Sequence, residues 1–275
     1  MSEKIRKERV DVLLVQQGLS ETREKAKRNV MAGLVCDEKN IRYDKPGEKI
    51  PADTVLRLKG QALKYVSRGG LKLEKAMNSF DISFEDKILL DIGSSTGGFT
   101  DVALQNGAKM SYALDVGSNQ LAWKLRQDER VEVMEKTNFR YSKLEDFTKG
   151  QPTISSIDVS FISLKLILPV LKEILAPEGE VVALIKPQFE AGREQVGKKG
   201  IIRDKKVHLS VLKEVLAFIQ EFGFNVEALD YSPITGGDGN IEFLAYLKPT
   251  ESGLGEYLSD ISPEDVVENS HNRLS

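Results

Sequence analysis

The sequence is poor in features that would direct a protein to an oxidising or membrane environment. Its 275 residues include one cysteine, Cys36, so no intramolecular disulfide can form. No apolar run approaches the roughly 20 residues that cross a bilayer, and no apolar signal segment follows the basic N-terminus. The two histidines, His208 and His271, have no second His or Cys at ligand spacing, so no metal site is expected. We therefore expect a cytoplasmic protein that is neither secreted nor membrane-spanning.

The charge of the chain is unevenly distributed. The net charge of −3 is the sum of +7 over residues 1–72, with 17 basic and 10 acidic residues, and −10 over residues 73–275. A basic segment joined to an acidic remainder favours a module that binds a polyanion and delivers it to a second domain. A chance distribution of surface charge is the alternative.

Residues 1–60 predict two short helices followed by a small β unit. Apolar residues recur at helical spacing between residues 8 and 17, and Gly18 ends that helix. Ser20 is the predicted N-cap of a second, basic helix over residues 21–32. This order of elements, in RVDVLLVQQGLSETREKAKRNVMAGLV and the PGEKI turn, resembles the S4 RNA-binding domain.

Residues 70–250 alternate between apolar strand-like runs and amphipathic helical runs. Alternation at this spacing predicts a mostly parallel sheet with helices on both faces. The last strand follows its predecessor without a helix, so we expect it to insert antiparallel. Residues 61–69 are expected to form a linker, and the acidic residues 251–275 a mobile tail. The expected strands are Lys87–Ile92, Met110–Asp115, Val131–Met134, Ser156–Val159, Val181–Ile185, Val226–Leu229 and Ile241–Leu247, and the clearest helices are Leu164–Leu175 and Lys205–Phe222.

A glycine-rich turn joins the first of these strands to a helix in the segment ILLDIGSSTGGFTDVAL. In an open parallel sheet such a turn lies at the carboxyl edge, where a ligand can approach the helix N-terminus. Ser95 occupies the position of the second glycine of G-x-G-x-x-G, which disfavours a pyrophosphate site, and the P-loop pattern is absent. The pattern that remains, D-x-G-x-x-x-G-G, is similar to motif I of class I S-adenosylmethionine (SAM)-dependent methyltransferases.

Polar residues after the first three strands extend this expected cofactor site. Asp91 would face the sulfonium-bearing ligand, and Asp115, 24 residues later, is placed to accept hydrogen bonds from ribose hydroxyls. Asn138 follows the third strand, where a polar side chain would meet the adenine. Each residue alone could cap a helix or shape a turn, but their order favours a cofactor site. The candidate cofactor-binding residues are Asp91, Gly93, Ser94, Ser95, Gly97, Gly98, Phe99, Asp115, Asn138 and Asp158.

Four charged residues, Lys72, Asp158, Lys186 and Glu242, stand at ends of predicted elements, where a buried charge is costly unless it is paired. The motifs SRGGLKL, DIGSSTGGFTD, IDVSFISL, LIKPQFE and GNIEFLAYL, behind the S4-like segment, resemble the TlyA family. Members of that family were once named hemolysins, and they are related to the FtsJ/RrmJ ribose 2′-O-methyltransferases. FtsJ-type loops often carry a different residue at the position of Thr96, so whether Thr96 makes the contact expected of this loop stays open.

The resemblance implies an α/β fold of the class I SAM-dependent methyltransferase type, with a Rossmann-like, mostly parallel seven-stranded sheet behind a small α+β S4 domain. It implies SAM-dependent 2′-O-methylation of cytidine in ribosomal RNA, with catalysis by the tetrad Lys72, Asp158, Lys186 and Glu242. The implied partners are ribosomal RNA or ribosomal subunits, with a monomer favoured and no membrane. Arg9 and Arg23 match basic S4 positions that the family uses on RNA. The full set of RNA-binding candidates is Arg9, Arg23, Lys27, Arg68, Arg193, Lys198 and Lys199.

A ribose 2′-hydroxyl is a poor nucleophile, so an enzyme of this kind must align it with the donor and let it lose its proton. Lys186 is the candidate proton acceptor, or, if it stays charged, the group that stabilises the developing alkoxide. Two structural ion pairs are the alternative for the tetrad. A membrane-active hemolysin would need an amphipathic cationic helix or a spanning segment. A silent RNA-binding or assembly factor would need a broken glycine loop or tetrad, and both are intact.

Overall fold

The computed structural model describes residues 7–37, 41–59, 64–197, 200–236, 239–251 and 253–274. The chain divides into two units, residues 1–64 and 65–275. This division differs from the expected linker over residues 61–69, because Tyr65 is buried and the Val66 N–H donates to the Asp101 carboxylate at 2.8 Å. Residues 65–69 therefore belong to the second unit.

The N-terminal unit contains two helices and two small antiparallel sheets around one apolar core. In the first sheet β1 pairs with β3, and in the second β2 pairs with β4. Its elements are β1 (Lys7–Arg9), α1 (Val10–Gln16), α2 (Arg23–Met31), β2 (Val35–Asp37), β3 (Lys49–Pro51) and β4 (Leu56–Leu58). The core contains Val10, Leu13, Leu14, Ala26, Val30, Val35, Tyr43, Ile50 and Leu56. The helix–helix–β order agrees with the sequence, while the S4 assignment stays a prediction.

The second helix begins later than its sequence predicts. Thr22, rather than Ser20, is the N-cap, and its side chain accepts a hydrogen bond from the Lys25 N–H at 3.2 Å. Ser20 is buried, and its hydroxyl accepts a hydrogen bond from the Asn29 amide at 3.0 Å. Both residues are good N-caps by type, so their order along the chain does not distinguish them.

The second unit is built on a seven-stranded sheet with the order β10-β11-β9-β8-β5-β6-β7. Strand β11 pairs antiparallel with both of its neighbours, β10 and β9, while the other strand pairs of the sheet are parallel, which confirms the predicted topology. The strands are β5 (Ile88–Ile92), β6 (Met110–Leu114), β7 (Val131–Met134), β8 (Ile154–Ile157), β9 (Glu180–Ile185), β10 (Phe224–Tyr231) and β11 (Phe243–Pro249). The helices are α3 (Gly70–Ser79), α4 (Gly98–Gln105), α5 (Trp123–Arg126), α6 (Leu168–Ile174), α7 (Pro187–Glu190), α8 (Lys205–Glu221) and α9 (Pro263–Leu274).

The strand order creates a switch point between β5 and β8. The chain proceeds from β5 to β6 and β7 on one side, and then returns to place β8 on the other side of β5. Ligands of open α/β sheets bind in the crevice beyond the carboxyl ends of strands at such a point. Both faces of the sheet are covered: Leu90 packs in the apolar layer that includes α6 and α8, and Leu89 in the layer that includes α3 and α4.

The C-terminal segment differs from the expected mobile tail. Residues 263–274 form α9, in which Val266, Val267 and Ser270 are buried. A parallel bridge also pairs Tyr257 with Val226 at the outer edge of the sheet. The acidic residues that suggested disorder lie in the first turn of α9 or are exposed, while the few apolar residues pack inward. None of the helices within the described ranges has both the length and the apolar composition that a bilayer crossing requires.

Candidate active site

A cavity of about 510 Å³ opens at the switch point of the sheet. Its volume falls within the range of roughly 300–1,000 Å³ that is usual for small-molecule sites. The wall is formed by the glycine-rich loop after β5, the loops after β8 and β9, the start of α3 and the segment before β11. Main-chain segments from five parts of the second unit therefore converge on one space.

The structure brings Lys72, Asp158, Lys186 and Glu242 together on the wall of this cavity. Lys186 Nζ lies 2.5 Å from Asp158 Oδ1, and Lys72 Nζ lies 3.3 Å from Asp158 Oδ2. Lys72 Nζ also lies 2.6 Å from Glu242 Oε2. The four groups thus form one chain of alternating charge in the order Lys186, Asp158, Lys72 and Glu242, which we call the tetrad chain.

Burial and pairing act against each other on the groups of the tetrad chain. The side chains of Lys72, Lys186 and Glu242 are at most 9% exposed, and that of Asp158 is 20% exposed. Burial opposes the charged form of Lys72, but Asp158 and Glu242 outweigh it and raise the pKa of this lysine. Burial likewise opposes ionisation of Asp158, but Lys186 and Lys72 hold the pKa of its carboxyl below the usual value. Both central groups are therefore held in their charged forms.

Two residues that the sequence analysis did not select also contact the tetrad chain. Ser160 lies with its hydroxyl oxygen 3.4 Å from Lys186 Nζ, and Gln188 directs its amide nitrogen to Glu242 Oε1 at 3.5 Å. Among the described residues, the side-chain oxygen of Gln188 has no hydrogen-bond partner although it is buried. Each of them stands two positions after a tetrad residue in the sequence, and this spacing is the feature from which their contacts could have been predicted.

The glycine-rich loop needs glycine where it approaches Asp158. Gly93 has a φ of +84°, and a Cβ atom at this position would lie 2.5 Å from the backbone oxygen of Asp158. Gly97, with a φ of +93°, is the N-cap of α4. A side chain at Gly93 would therefore displace a tetrad residue. Ser94, Ser95, Thr96, Gly98 and Phe99 line the cavity together with Gly93.

Asp91 is hydrogen-bonded within the protein, and its expected contact with a ligand stays a prediction. Its Oδ2 accepts hydrogen bonds from the Thr100 N–H at 3.1 Å and the Thr100 hydroxyl at 2.8 Å, and its Oδ1 accepts one from the Ser156 hydroxyl at 2.9 Å. Burial raises the pKa of this carboxyl to about 6, although the three hydrogen bonds oppose the shift. Asp91 lines the cavity, but its carboxylate joins the N-terminal turn of α4 to β8.

Asp115 and Asn138 lie after β6 and β7, outside the wall of the cavity. Asp115 Oδ2 accepts a hydrogen bond from the Ser95 N–H at 2.8 Å, and Oδ1 accepts one from the Gly117 N–H at 2.7 Å. Asn138 caps the short helical turn Phe139–Tyr141, because its side-chain oxygen accepts from the Arg140 N–H at 3.2 Å. The carboxylate of Asp115 therefore fixes the glycine-rich loop.

Two aromatic rings stand beside the tetrad chain and were missed by the sequence analysis. Phe161 is 91% exposed, has a φ of +63° and lines the cavity. Its ring centroid lies 4.9 Å from that of Phe189, which in turn lies 5.9 Å from Lys186 Nζ. An exposed aromatic ring in a left-handed backbone conformation is unusual for a bulky residue and is typical of functional sites.

The basic candidates for RNA contact differ in their surroundings. Arg9 and Arg23 both bind Asp11, at 2.9 and 3.1 Å, and this carboxylate is fully buried. The hydrogen bond from Arg9 holds the pKa of Asp11 below its usual value despite burial. Arg68 is exposed and lines the cavity, and Lys27 pairs with Glu24 at 2.7 Å on the surface. Arg193 lies in the turn Arg193–Gln195, and Lys198 and Lys199 lie outside the described residues.

Comparison with known proteins gives matches over up to 98% of the chain. Residues 65–248 match the family described as FtsJ-like methyltransferase. A Bacillus subtilis protein named "Putative rRNA methyltransferase YqxC" is 63% identical over 98% of this chain and 96% of its own. The "16S/23S rRNA (cytidine-2'-O)-methyltransferase TlyA" of Mycobacterium tuberculosis is 37% identical over 88% of this chain and 90% of its own. A solved structure described as "Putative hemolysin from Streptococcus thermophilus" is 60% identical, with a TM-score of 0.77 and coverage of 98% of each chain.

Proposed function

The chain belongs to the FtsJ-like methyltransferase family, and on that premise we propose that it transfers the methyl group of SAM to the ribose 2′-hydroxyl of a cytidine in ribosomal RNA. The observation that carries the proposal is the tetrad chain on the wall of a cavity that also holds the glycine-rich loop. The cavity and its loop can hold the methyl donor, and the tetrad chain supplies charged groups that can bind the acceptor hydroxyl. We propose the cytoplasm as the site of this reaction.

The residues of the cavity and its loop fit SAM. The loop exposes backbone at Gly93, Ser94 and Gly98, and its conformation is fixed by the Asp115 carboxylate. Each oxygen of Asp115 accepts one N–H and keeps a second lone pair, which can accept a hydrogen bond from a ribose hydroxyl. When bound, SAM supplies a methyl group made electrophilic by its sulfonium charge. We assign its contacts to this loop, Asp115 and the cavity side of Asp158.

Lys186 orients the hydroxyl that is to be methylated. An ammonium group has three N–H donors, and among the described residues Nζ of Lys186 contacts Asp158 Oδ1 and Ser160 Oγ. One donor is then directed to the ribose oxygen, where it stabilises the negative charge that develops as the hydroxyl proton passes to water late in the methyl transfer. Asp158 and Glu242 hold the two lysines in place, so the charges need no rearrangement during the reaction.

An RNA substrate is supported by features outside the tetrad chain. Phe161 and Phe189 offer an aromatic surface at the rim, and bases of single-stranded or splayed RNA stack on such rings. Arg68 places a cation on the same cavity. The N-terminal unit presents Arg9 and Arg23, which are 39% and 54% exposed, and we propose that this S4-like unit binds the phosphate backbone.

Methyl transfer from radiolabelled SAM tests the proposal. The purified protein is incubated separately with 30S subunits, 50S subunits and free ribosomal RNA, and modified nucleosides are identified by mass spectrometry. We expect 2′-O-methylcytidine from the native protein and a rate of its formation lower by about 10²–10⁴-fold when Lys186 is replaced by Ala. Incorporation on a base rather than on ribose would assign a different acceptor. Absence of incorporation into every RNA, together with demonstrated SAM binding, would refute the proposed substrate.

A further inference from the structure

The loop between β8 and the turn Leu164–Leu166, which we call the Phe161 loop (residues 158–163), is held from both ends by one short segment. At its start, Asp158 binds Lys186 at 2.5 Å. At its end, the Ser163 hydroxyl donates to Glu190 Oε2 at 2.5 Å, and the Leu164 N–H donates to Glu190 Oε1 at 2.8 Å. Lys186 and Glu190 stand four residues apart, on either side of Phe189, whose ring contacts Phe161. Residues 186–190 therefore touch the loop at three points.

The Phe161 loop needs such support because its conformation is unfavourable. Phe161 has a φ of +63° and is 91% exposed, so burial of its own ring does not fix its position. A bulky residue persists in the left-handed region only where its surroundings impose that conformation. The tether at Asp158 depends on the tetrad chain, and the tether at Ser163 and Leu164 depends on Glu190.

We infer that Glu190 is a positioning residue, which holds the Phe161 loop so that the ring of Phe161 stands ready to stack on the nucleobase of the acceptor nucleotide. The inference rests on the proposed function for the stacking partner, while the tether itself is independent of it. Glu190 contacts the loop and does not line the cavity. Its effect on the reaction is therefore exerted through Phe161.

Replacing Glu190 by Gln or by Ala distinguishes a tether from a general structural role. Glutamine can keep both contacts, because its carbonyl accepts from the Leu164 N–H and its amide donates to the Ser163 hydroxyl, which both donates and accepts. Alanine keeps neither contact. Glu180 provides a matched control at the opposite end of β9, where it binds Lys87 and accepts from the Tyr246 hydroxyl at 2.8 Å. Replacing Glu180 by Ala removes a partly buried carboxylate of the same strand–helix segment without touching the loop.

The first measurement is hydrogen exchange of the full-length protein, which requires no activity. In Glu190→Ala, the amides of residues 160–165 should exchange faster than in the native protein, and in Glu190→Gln they should exchange at nearly the native rate. Glu180→Ala should leave them unchanged. Unchanged exchange in Glu190→Ala would overturn the inference whatever the protein methylates.

The second measurement is the steady-state kinetics of ribosomal RNA methylation. Phe161→Ala should raise KM for the RNA by about 5- to 150-fold, the range expected for loss of one base–aromatic stack. Glu190→Ala should raise the same KM with SAM affinity unchanged, and Glu190→Gln should restore it. The double variant should match Phe161→Ala alone, whereas multiplicative losses would show that Glu190 does not act through Phe161. If the native protein methylates no ribosomal RNA, the proposed function fails and with it the stacking role, while the exchange data still decide the tether.

Discussion

Replacing Lys186 by Ala should reduce turnover by about 10²–10⁴-fold, the usual range for a positioned proton-transfer or charge-stabilising group. This loss corresponds to about 2.7–5.4 kcal/mol in the activation free energy. The structure supports so large an effect because Lys186 Nζ already binds Asp158 at 2.5 Å and Ser160 at 3.4 Å, so its remaining donor is directed by two fixed partners. Affinities for SAM and RNA should change little.

The same substitution should have a moderate effect on stability. Asp158 would lose its 2.5 Å partner but keep Lys72 at 3.3 Å, so its buried charge would not be left alone. We expect the free energy of unfolding to fall by about 1–3 kcal/mol, less than the roughly 3–5 kcal/mol seen when a buried charge loses its only partner. Activity must therefore be measured under conditions where the variant is still fully folded despite this loss of stability.

A single-turnover assay with saturating SAM, quantified by mass spectrometry of the RNA, measures the chemical step directly. Lys186→Arg should fail to restore the rate, since a planar guanidinium cannot replace a single ammonium or amine donor at this position. Lys75→Ala is the matched control, because Lys75 also pairs with a half-buried acid, Asp230 at 2.9 Å, but stands away from the cavity. A native rate in Lys186→Ala, or an equal loss in Lys75→Ala, would refute this account of Lys186.

Three further outcomes are expected. Asp115→Ala should weaken SAM binding by about 1–3 kcal/mol through the lost ribose contacts, and calorimetry that found NADH bound more tightly than SAM would contradict the cofactor assignment. Arg9→Ala or Arg23→Ala should weaken RNA binding and lower its salt slope by about one, with SAM affinity unchanged, in titrations over a salt series. Burial, together with the neighbouring His271, lowers the pKa of His208 to about 4. Between pH 6.5 and 4 this histidine is protonated in the unfolded chain but neutral in the folded protein. The free energy of unfolding, measured with denaturant, should therefore fall by up to about 3 kcal/mol as the pH is lowered from 6.5 to 4. His208→Phe should flatten this pH dependence.

The sheet was predictable because its central parallel strands β5, β6 and β9 are largely buried on both faces and are mostly apolar. Strand β8 was expected at Ser156–Val159 and is found at Ile154–Ile157, a shift of two residues. Ser155 and Ser156 are polar but fully paired, since Ser155 donates to the Leu90 carbonyl and Ser156 to Asp91. Hydropathy alone cannot reveal that a serine in a strand has found a buried acceptor, so the expected strand was shifted toward the apolar residue that follows.

The tetrad residues were predictable by type and by their place at the ends of elements, whereas the residues that support them were not. Glu190 and Asp11 resemble ordinary surface acids in the sequence. The structure shows that Asp11 is fully buried between Arg9 and Arg23, and that Glu190 accepts two hydrogen bonds from a loop 26 and 27 residues away in sequence. Such partners are set by tertiary contacts, which local patterns of charge and hydropathy do not encode.

The tetrad chain divides its four members into two kinds. Asp158 and Lys72 stand in the middle, and each binds two oppositely charged neighbours. Lys186 and Glu242 stand at the ends, and each binds one oppositely charged member of the chain. Because a central charge is already compensated on both sides, its chief effect is to hold its neighbours, while an end group keeps hydrogen-bonding capacity for a ligand. Of the two end groups, Lys186 alone can donate to an oxygen that is losing its proton, since a carboxylate at Glu242 can only accept. The alternation of charge therefore supports our proposal that the acceptor hydroxyl binds at the Lys186 end of the chain.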